Sequence, residues 1–556
     1  MTDSSIRTAA CRLGVLALLA APATGAAQRG PVPVSADSLR ASLFAIADDS
    51  MGGRDTGSPG DAEASAWVAA AFARSGLTPA GEGGTWFQSL PFWRLALDTA
   101  SGLDVSGTHL AAGRDLMPLG IQMTWRTDGA AALFAGALDD STSWPAAGQS
   151  AGKLLVFRAV PGGNPRALLH LVLGVRRRPR FARAAGFAVA GLEALPPDAA
   201  ALLAQSQSRL TPDTLLFSVV RGSLLVTTAA AGTLLGVPLE TAAPGRLGPT
   251  FRGSVAFARL PLAAPVRNVV AILPGSDSTL RRTYVSISAH HDHVGVARPP
   301  VDHDSVRAYD RVMRPMGEDS PPRDPDSVES ARIAALRDSL RAAHPARLDS
   351  VYNGADDDGS GTVALVELAR VLAAGPRPRR SILFVSHAAE ERGLLGSRFF
   401  TDHPTVPRDS IVAELDMDMV GRGGAADLPR GGPGYLELVG SRRLSTELGN
   451  LIESVAAAEP EPFHFNYEYD APNHPLQYYC RADHFSYARY GIPSASLSTG
   501  EHLDYHQVTD EAQYVDYAQL ARVATLVRDV ALALANLDHR PSVDGPVPDP
   551  RAPCRQ

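Results

Sequence analysis

Five segments in the second half of the chain place acidic or imidazole side chains where a short apolar run ends. They read SISAHHDH (286–293), NGADDDGSG (353–361), VSHAAEERGLLGS (385–397), ELDMDMVG (414–421) and EHLDYHQVTDE (501–511). Together they offer His290, Asp357, Glu391, Asp418 and His506, with Glu390 as a spare carboxylate. Two imidazoles and three carboxylates are the donor mix that two zinc ions sharing one bridging carboxylate require. The chemistry this implies is metal-dependent hydrolysis.

The adjacent pair Glu390–Glu391 carries a division of labour. Neighbouring carboxylates repel unless a cation neutralises one of them. A metal on Glu391 leaves Glu390 free to meet a metal-bridging water and take its proton at neutral pH. In HHDH, a metal-binding His290 needs a partner for its other ring nitrogen, and Asp292 lies on the same side of an extended chain. His291 points the other way and reads as a pocket-wall or core residue; His293 is left open. DDDGSG also contains a calcium-like fragment. Counted from Asp356, however, its Gly falls at position 4 rather than 6, and Glu367 at position 12 lies inside an apolar helix pattern.

The elements around these residues must bring them together. RNVVAILPG (267–275), YVSIS (284–288), SILFVS (381–386), IVAELDM (411–417) and PSASLST (493–499) are continuous apolar runs of strand length. Helical stretches such as TVALVELARVLAAG (362–375) lie between them. This alternation predicts an α/β fold: a mostly parallel central sheet with helices on both faces. Ligands in such sheets gather beyond the carboxyl ends of the strands, which is where His290, Glu391, Asp418 and His506 fall. Residues 297–350 interrupt the pattern as a charged surface insertion with one helix at 328–343. Upstream, 37–49 and 61–75 carry helical periodicity, and 97–262 reads as an inserted, smaller β-rich domain. The expected organisation is therefore 1–27 signal peptide, 31–96 N-terminal part of the catalytic domain, 97–262 insert, 263–540 catalytic domain and a disordered Pro-rich tail over 541–556.

Bulk properties narrow the class. At 556 residues the chain exceeds one ordinary core, and 45% hydrophobic with 20% charged residues is globular composition. A net charge of −7 argues against a nucleic-acid partner. Arg7 and Arg12, then LGVLALLAA (13–21), then Gly25 and Ala27 have the plan of a secretion signal, and no later stretch predicts a membrane span. Export would leave Cys480 and Cys554 either disulfide-bonded or as a buried thiol and a tail thiol.

Lined up, these motifs resemble the co-catalytic zinc aminopeptidases, the family-28 metallopeptidases related to glutamate carboxypeptidase, glutaminyl cyclase and the transferrin receptor. The matching residues are His290-His-Asp292, Asp357-Asp-Gly-Ser-Gly361, Glu390-Glu-Arg-Gly-Leu-Leu-Gly-Ser397, Asp418-Met-Val-Gly421 and Tyr505-His506. The resemblance covers 263–540, with GRDTGSPG similar to the family's N-terminal element and 97–262 similar in placement to a protease-associated domain. It implies two zinc ions, one on His290, Asp357 and Asp418 and the other on Asp357, Glu391 and His506. It implies Glu390 as general base, Asp292 as the partner of His290 and Tyr505 as a stabiliser of the tetrahedral oxyanion. The expected activity is removal of N-terminal residues from peptide substrates. A carboxypeptidase of the same fold would need an Arg cluster, from among Arg392, Arg398, Arg422 and Arg481, aimed at the substrate carboxylate. A catalytically inactive binding homologue would lack ligands, and none is missing.

Overall fold

The computed structural model of the chain describes residues 32–119, 124–158, 174–175, 178–195, 208–212, 222–343, 345–428 and 430–556. The expected secretion signal lies outside the described residues.

The site-bearing half is built on one nine-stranded sheet. Its main elements are α1 (Ala36–Ile46), α2 (Pro59–Arg74), β1 (Arg267–Leu273), β2 (Tyr284–His290), α3 (His303–Met313), α4 (Ser327–Ala343), α5 (Gly361–Ala374), β3 (Ser381–His387), β4 (Ile411–Met417), β5 (Tyr435–Val439), β6 (Ser494–Ser498) and α6 (Tyr517–Asn536). The strand order is Thr78–Pro79, β1, β3, β2, β4, β6, β5, His464–Asn466, with Phe87–Ser89 also on β1. The inner four strands, β3, β2, β4 and β6, pair in parallel. β1 and β5 flank them antiparallel. The parallel reading therefore describes the centre of a mixed sheet.

The strands are apolar throughout because both faces are covered. Ile382 and Phe384 of β3 pack against one helical layer with residues of α1, α2, α5 and α6. Leu383 and Val385 face the other side, against Phe400 and Tyr487 of helices Leu395–Asp402 and His484–Ala488. Each such fully buried Leu, Ile or Phe contributes about 1.5–3 kcal/mol. Local chemistry fixes the helix ends. Ser58 caps α2 by accepting from Asp61 N, with Pro59 at the first helical position. Asp516 caps α6 by accepting from Ala518 N and Gln519 N.

A second, eight-stranded sheet is formed by strands between Gly102 and Val255. It has its own apolar clusters, around Leu103, Phe134 and Val156 on one side and Phe157, Phe181 and Phe187 on the other. The chain leaves and re-enters the first unit through Phe92–Leu97 and Phe257–Leu260, which hydrogen-bond to each other. Within 297–350, Val296–Asp302 pairs with Leu348–Val351 and encloses α3 and α4. The expectation was a single helix, at 328–343; α3 is additional, its polar residues masking the period.

The expected disorder of 541–556 needs correction. Asp544 N and Gly545 N donate to Leu444 O, Gln556 Nε2 donates to Tyr469 O and Ala471 O, and Cys554 is disulfide-bonded to Cys480. Composition alone suggested a free tail, whereas specific backbone hydrogen bonds and a covalent link hold it. Among the described residues no helix is long and apolar enough to cross a membrane.

Candidate metal centre

The five residues expected to bind metal converge at the carboxyl ends of the parallel strands. His290 is the last residue of β2, Asp418 directly follows β4, and Glu390–Glu391 follow β3 by three and four positions. His506 lies in the loop after β6, and Asp357 in the turn that leads into α5. Gly354 sets up that turn. Its φ is +54°, and a Cβ there would lie 2.3 Å from Asp357 O and 2.5 Å from the His293 ring, so only glycine fits.

Asp357 stands between two groups. On one side His290 Nε2 is 3.3 Å from Asp357 Oδ1 and 3.7 Å from Asp418 Oδ1. On the other, His506 Nε2 is 2.9 Å from Asp357 Oδ2 and 3.1 Å from Glu391 Oε2. The two flanking aspartates of the DDD run do different work. Asp358 accepts from the backbone N–H groups of His290, Gly361 and Met419. Asp356 accepts from Gly421 N and lies 3.2 Å from His502 Nε2.

The arrangement suits a pair of cations. His290 Nε2, both ring nitrogens of His293 and Glu391 Oε1 are buried without a hydrogen bond of acceptable geometry. Four carboxylates, Asp357, Glu390, Glu391 and Asp418, line one cleft. Packed so closely they repel strongly without positive charge between them. Nitrogen and carboxylate oxygen donors are the set that zinc prefers.

His293, left open by the sequence, joins the second group. Its Nδ1 lies 2.7 Å from Glu391 Oε1 and 3.7 Å from Asp357 Oδ2, with its ring edge-on to His506. His291 lies in the interior, as its alternation predicts: Nδ1 is 2.8 Å from Ser386 Oγ and Nε2 is 3.4 Å from Asp61. Glu390 Oε2 sits 4.0 Å from His290 Nε2 at the cleft edge. Burial, reinforced by Asp418 and Glu391 and opposed by His290, holds the Glu390 carboxyl well above the usual range.

Asp292 does less for His290 than expected and more for Glu390. The nearer acceptor to His290 Nδ1 is the Asp292 backbone carbonyl at 3.2 Å; its carboxylate is 3.7 Å away. That carboxylate accepts from Thr56 Oγ1 at 2.8 Å and from Glu390 N at 3.0 Å, so it fixes the backbone beneath the proposed base. Tyr505 stacks on His506 with ring centroids 4.1 Å apart, and its hydroxyl accepts from Arg481 Nη2 at 3.1 Å.

Two supports escaped the sequence reading. Arg54 is fully buried, and its guanidinium donates to the carbonyls of Ile46, His291, Asn353 and Gly354. It thereby ties the His290 loop to the Asp357 turn. Its neighbours complete the brace: Asp55 pairs with Arg392, and Thr56 holds Asp292. The second support is Glu318, in the 297–350 insertion, whose Oε2 lies 2.7 Å from His506 Nδ1. Ala389, Met419 and His506, each in or beside the cluster, adopt positive φ. Such backbone costs about 1–3 kcal/mol per residue and concentrates at functional sites.

The fold and cluster together place two groups of potential metal ligands at the strand ends of an α/β sheet. Residues 268–531 match the sequence model of Peptidase family M28. Curated relatives include leucine aminopeptidase 1 of Paracoccidioides brasiliensis (strain Pb18), 32% identical over 217 residues, 36% of this chain and 51% of that protein. Leupeptin-inactivating enzyme 1 of Streptomyces exfoliatus is 29% identical over 170 residues, 30% of this chain and 34% of that protein. The chain thus spans about half the length, or less, of these two relatives. Among solved structures, an aminopeptidase from Aneurinibacillus sp. strain AM-1 aligns with TM-score 0.46 and 14% identity, over 92% of this chain and 97% of that one.

Proposed function

We propose that this chain is a zinc-dependent aminopeptidase that removes N-terminal residues from peptides. The observation that carries this reading is the position of Asp357 between His290–Asp418 on one side and Glu391–His506 on the other. His290, Asp357 and Asp418 would hold one ion, and Asp357, Glu391 and His506 the other, with His293 beside the second. A zinc pair bound there supplies Lewis acidity to the scissile carbonyl and acidifies the attacking water. Glu390 accepts that water's proton and returns it to the departing amine, a role for which a raised carboxyl pKa is suited. Asp292 keeps Glu390 in reach through the backbone. Tyr505, fixed by Arg481 and the His506 ring, offers its hydroxyl to the oxyanion.

The same site favours an amino over a carboxyl terminus. Glu390 and Asp418 present negative charge at the cleft. Of the four arginines a carboxypeptidase would use, Arg392 is paired with Asp55, Arg422 with Asp427 and Asp504, and Arg481 with Asp319, while Arg398 lines the cleft beside Glu390 and Glu391. The Cys480–Cys554 disulfide supports an exported protein, since such bonds persist in oxidising compartments.

The test is a comparison of free aminoacyl, N-blocked and C-terminal peptide substrates before and after chelation. Hydrolysis confined to substrates with a free α-amine, lost with chelator and restored by zinc, is expected. Equal hydrolysis of N-blocked substrates, or activity indifferent to chelation, would overturn the reading.

A further inference from the structure

Beside the paired cluster, the cleft continues into a pocket whose chemistry the hydrolytic reading leaves unused. Its floor comes from β5 and β6: Glu437 lies on β5 opposite Ser498 of β6, and Glu501 follows β6 by three positions. Glu437 is 2% exposed and Glu501 is 7% exposed. Glu437 is held in place, since the Tyr435 hydroxyl donates to its Oε1 at 2.7 Å and Asn466 Nδ2 donates to Tyr435 at 2.8 Å. Glu501 and the Tyr478 hydroxyl are buried there side by side, and the Tyr478 hydroxyl is the nearest donor to that carboxyl.

The nearby arginines act on these two carboxyls only through space, Arg481 on Glu501 and Arg430 on Glu437, while their direct ion pairs go elsewhere. Arg481 donates to Asp319 at 2.6 Å and to the Tyr505 hydroxyl. Arg430 is paired with Glu468. Burial holds His484 down at about 3, so that imidazole brings no charge. Burial also holds Glu501 up at about 7, against the opposing pull of Tyr478 and Arg481. The remaining wall is mixed: the hydroxyls of Ser496 and Ser498 stand near Met419, Val439 and the Tyr478 ring.

We propose that this pocket receives the side chain of the substrate's N-terminal residue and selects a cationic one, lysine or arginine. The inference rests on the aminopeptidase reading and names its substrate class. An ammonium or guanidinium would meet both carboxylates, while its alkyl stem lies along Met419, Val439 and the Tyr478 ring. An apolar side chain would seal two carboxyls away from water without bringing a cation to them, a penalty that polar-lined pockets turn into strong rejection.

The test uses the full chain loaded with zinc and a panel of Lys-, Arg-, Leu-, Phe- and Glu-aminomethylcoumarin amides. The expected kcat/KM for Lys and Arg exceeds that for Leu and Phe at least tenfold, with Glu lowest. Combining Glu437→Gln with Glu501→Gln should lower the Lys-to-Leu ratio at least tenfold. A wild-type order with Leu or Phe at or above Lys and Arg overturns the inference, whether or not the variant folds. An equal loss on Lys and Leu in a folded variant also overturns it, because the carboxylates would then serve the α-amine or the scaffold. Absence of hydrolysis on the whole panel overturns the aminopeptidase reading itself, an outcome distinct from active but unselective turnover.

Discussion

Single side chains in this site are separable by what their loss should do. Asp357 touches both imidazole groups, whereas Asp418 and Glu391 each serve one. Asp357→Ala should therefore empty both proposed metal positions, read as metal content per chain after dialysis. Loss of one ion alone would remove the bridging assignment. Glu390 stands outside both groups of potential metal ligands, and its backbone is pinned by Asp292. Glu390→Ala should lower kcat by about 10²–10⁴ or more while metal content stays at the wild-type level. Unchanged turnover in that variant would strike Glu390 from its role.

The 297–350 insertion couples to the site at one end. Gly317 has φ +52°, and a Cβ there would approach Tyr505 O to 2.4 Å, so the turn lies directly on the Tyr505–His506 segment. From the same turn Glu318 reaches His506 Nδ1 and Asp319 reaches Arg481. Outer partners of this kind orient a ligand imidazole, and their loss typically costs about 10–100-fold in metal affinity or activity. Glu318→Ala is expected to weaken zinc affinity by about that factor, measured by competition with a chromogenic chelator. An unchanged affinity would reduce the insertion to a surface feature. A parallel division of labour appears at Arg54–Thr56, a turn between α1 and α2 that grips three of the loops carrying site residues.

At the scale of the molecule, the carboxyl-terminal segment closes back on the site-bearing half. The Cys480–Cys554 link spans 74 residues and ties the tail next to Arg481, where Pro550, Pro553 and Cys554 form one wall of a cleft that also contains Glu390 and Glu391. A loop of that size restricts the unfolded chain by about 4–5 kcal/mol in the chain-entropy estimate. Replacing both cysteines by serine should lower Tm and expose the tail to limited proteolysis under conditions that spare the wild-type chain. Identical digestion patterns would show that the hydrogen bonds from Asp544, Gly545 and Gln556 hold the tail by themselves.

What was legible in the sequence follows from periodicity and motif spacing. Apolar runs buried on both faces read as inner strands, and acidic or His residues at their ends read as a site, because strand ends in such sheets point to one side. The proposed zinc ligands, the fold class and the helix at 361–374 came from that logic. Contacts between segments far apart in the chain could not be read this way. The place of His293, the Arg54 brace, Glu318 behind His506 and the Glu437–Glu501 pocket each depend on residues tens to hundreds of positions apart. So does the docked tail, whose Pro-rich composition resembles disorder until its partners are in view. The sequence by itself determined which residue types stand at the ends of which strands. Only the tertiary structure decided which of them meet, because side-chain direction and loop path are set by packing rather than by local preference.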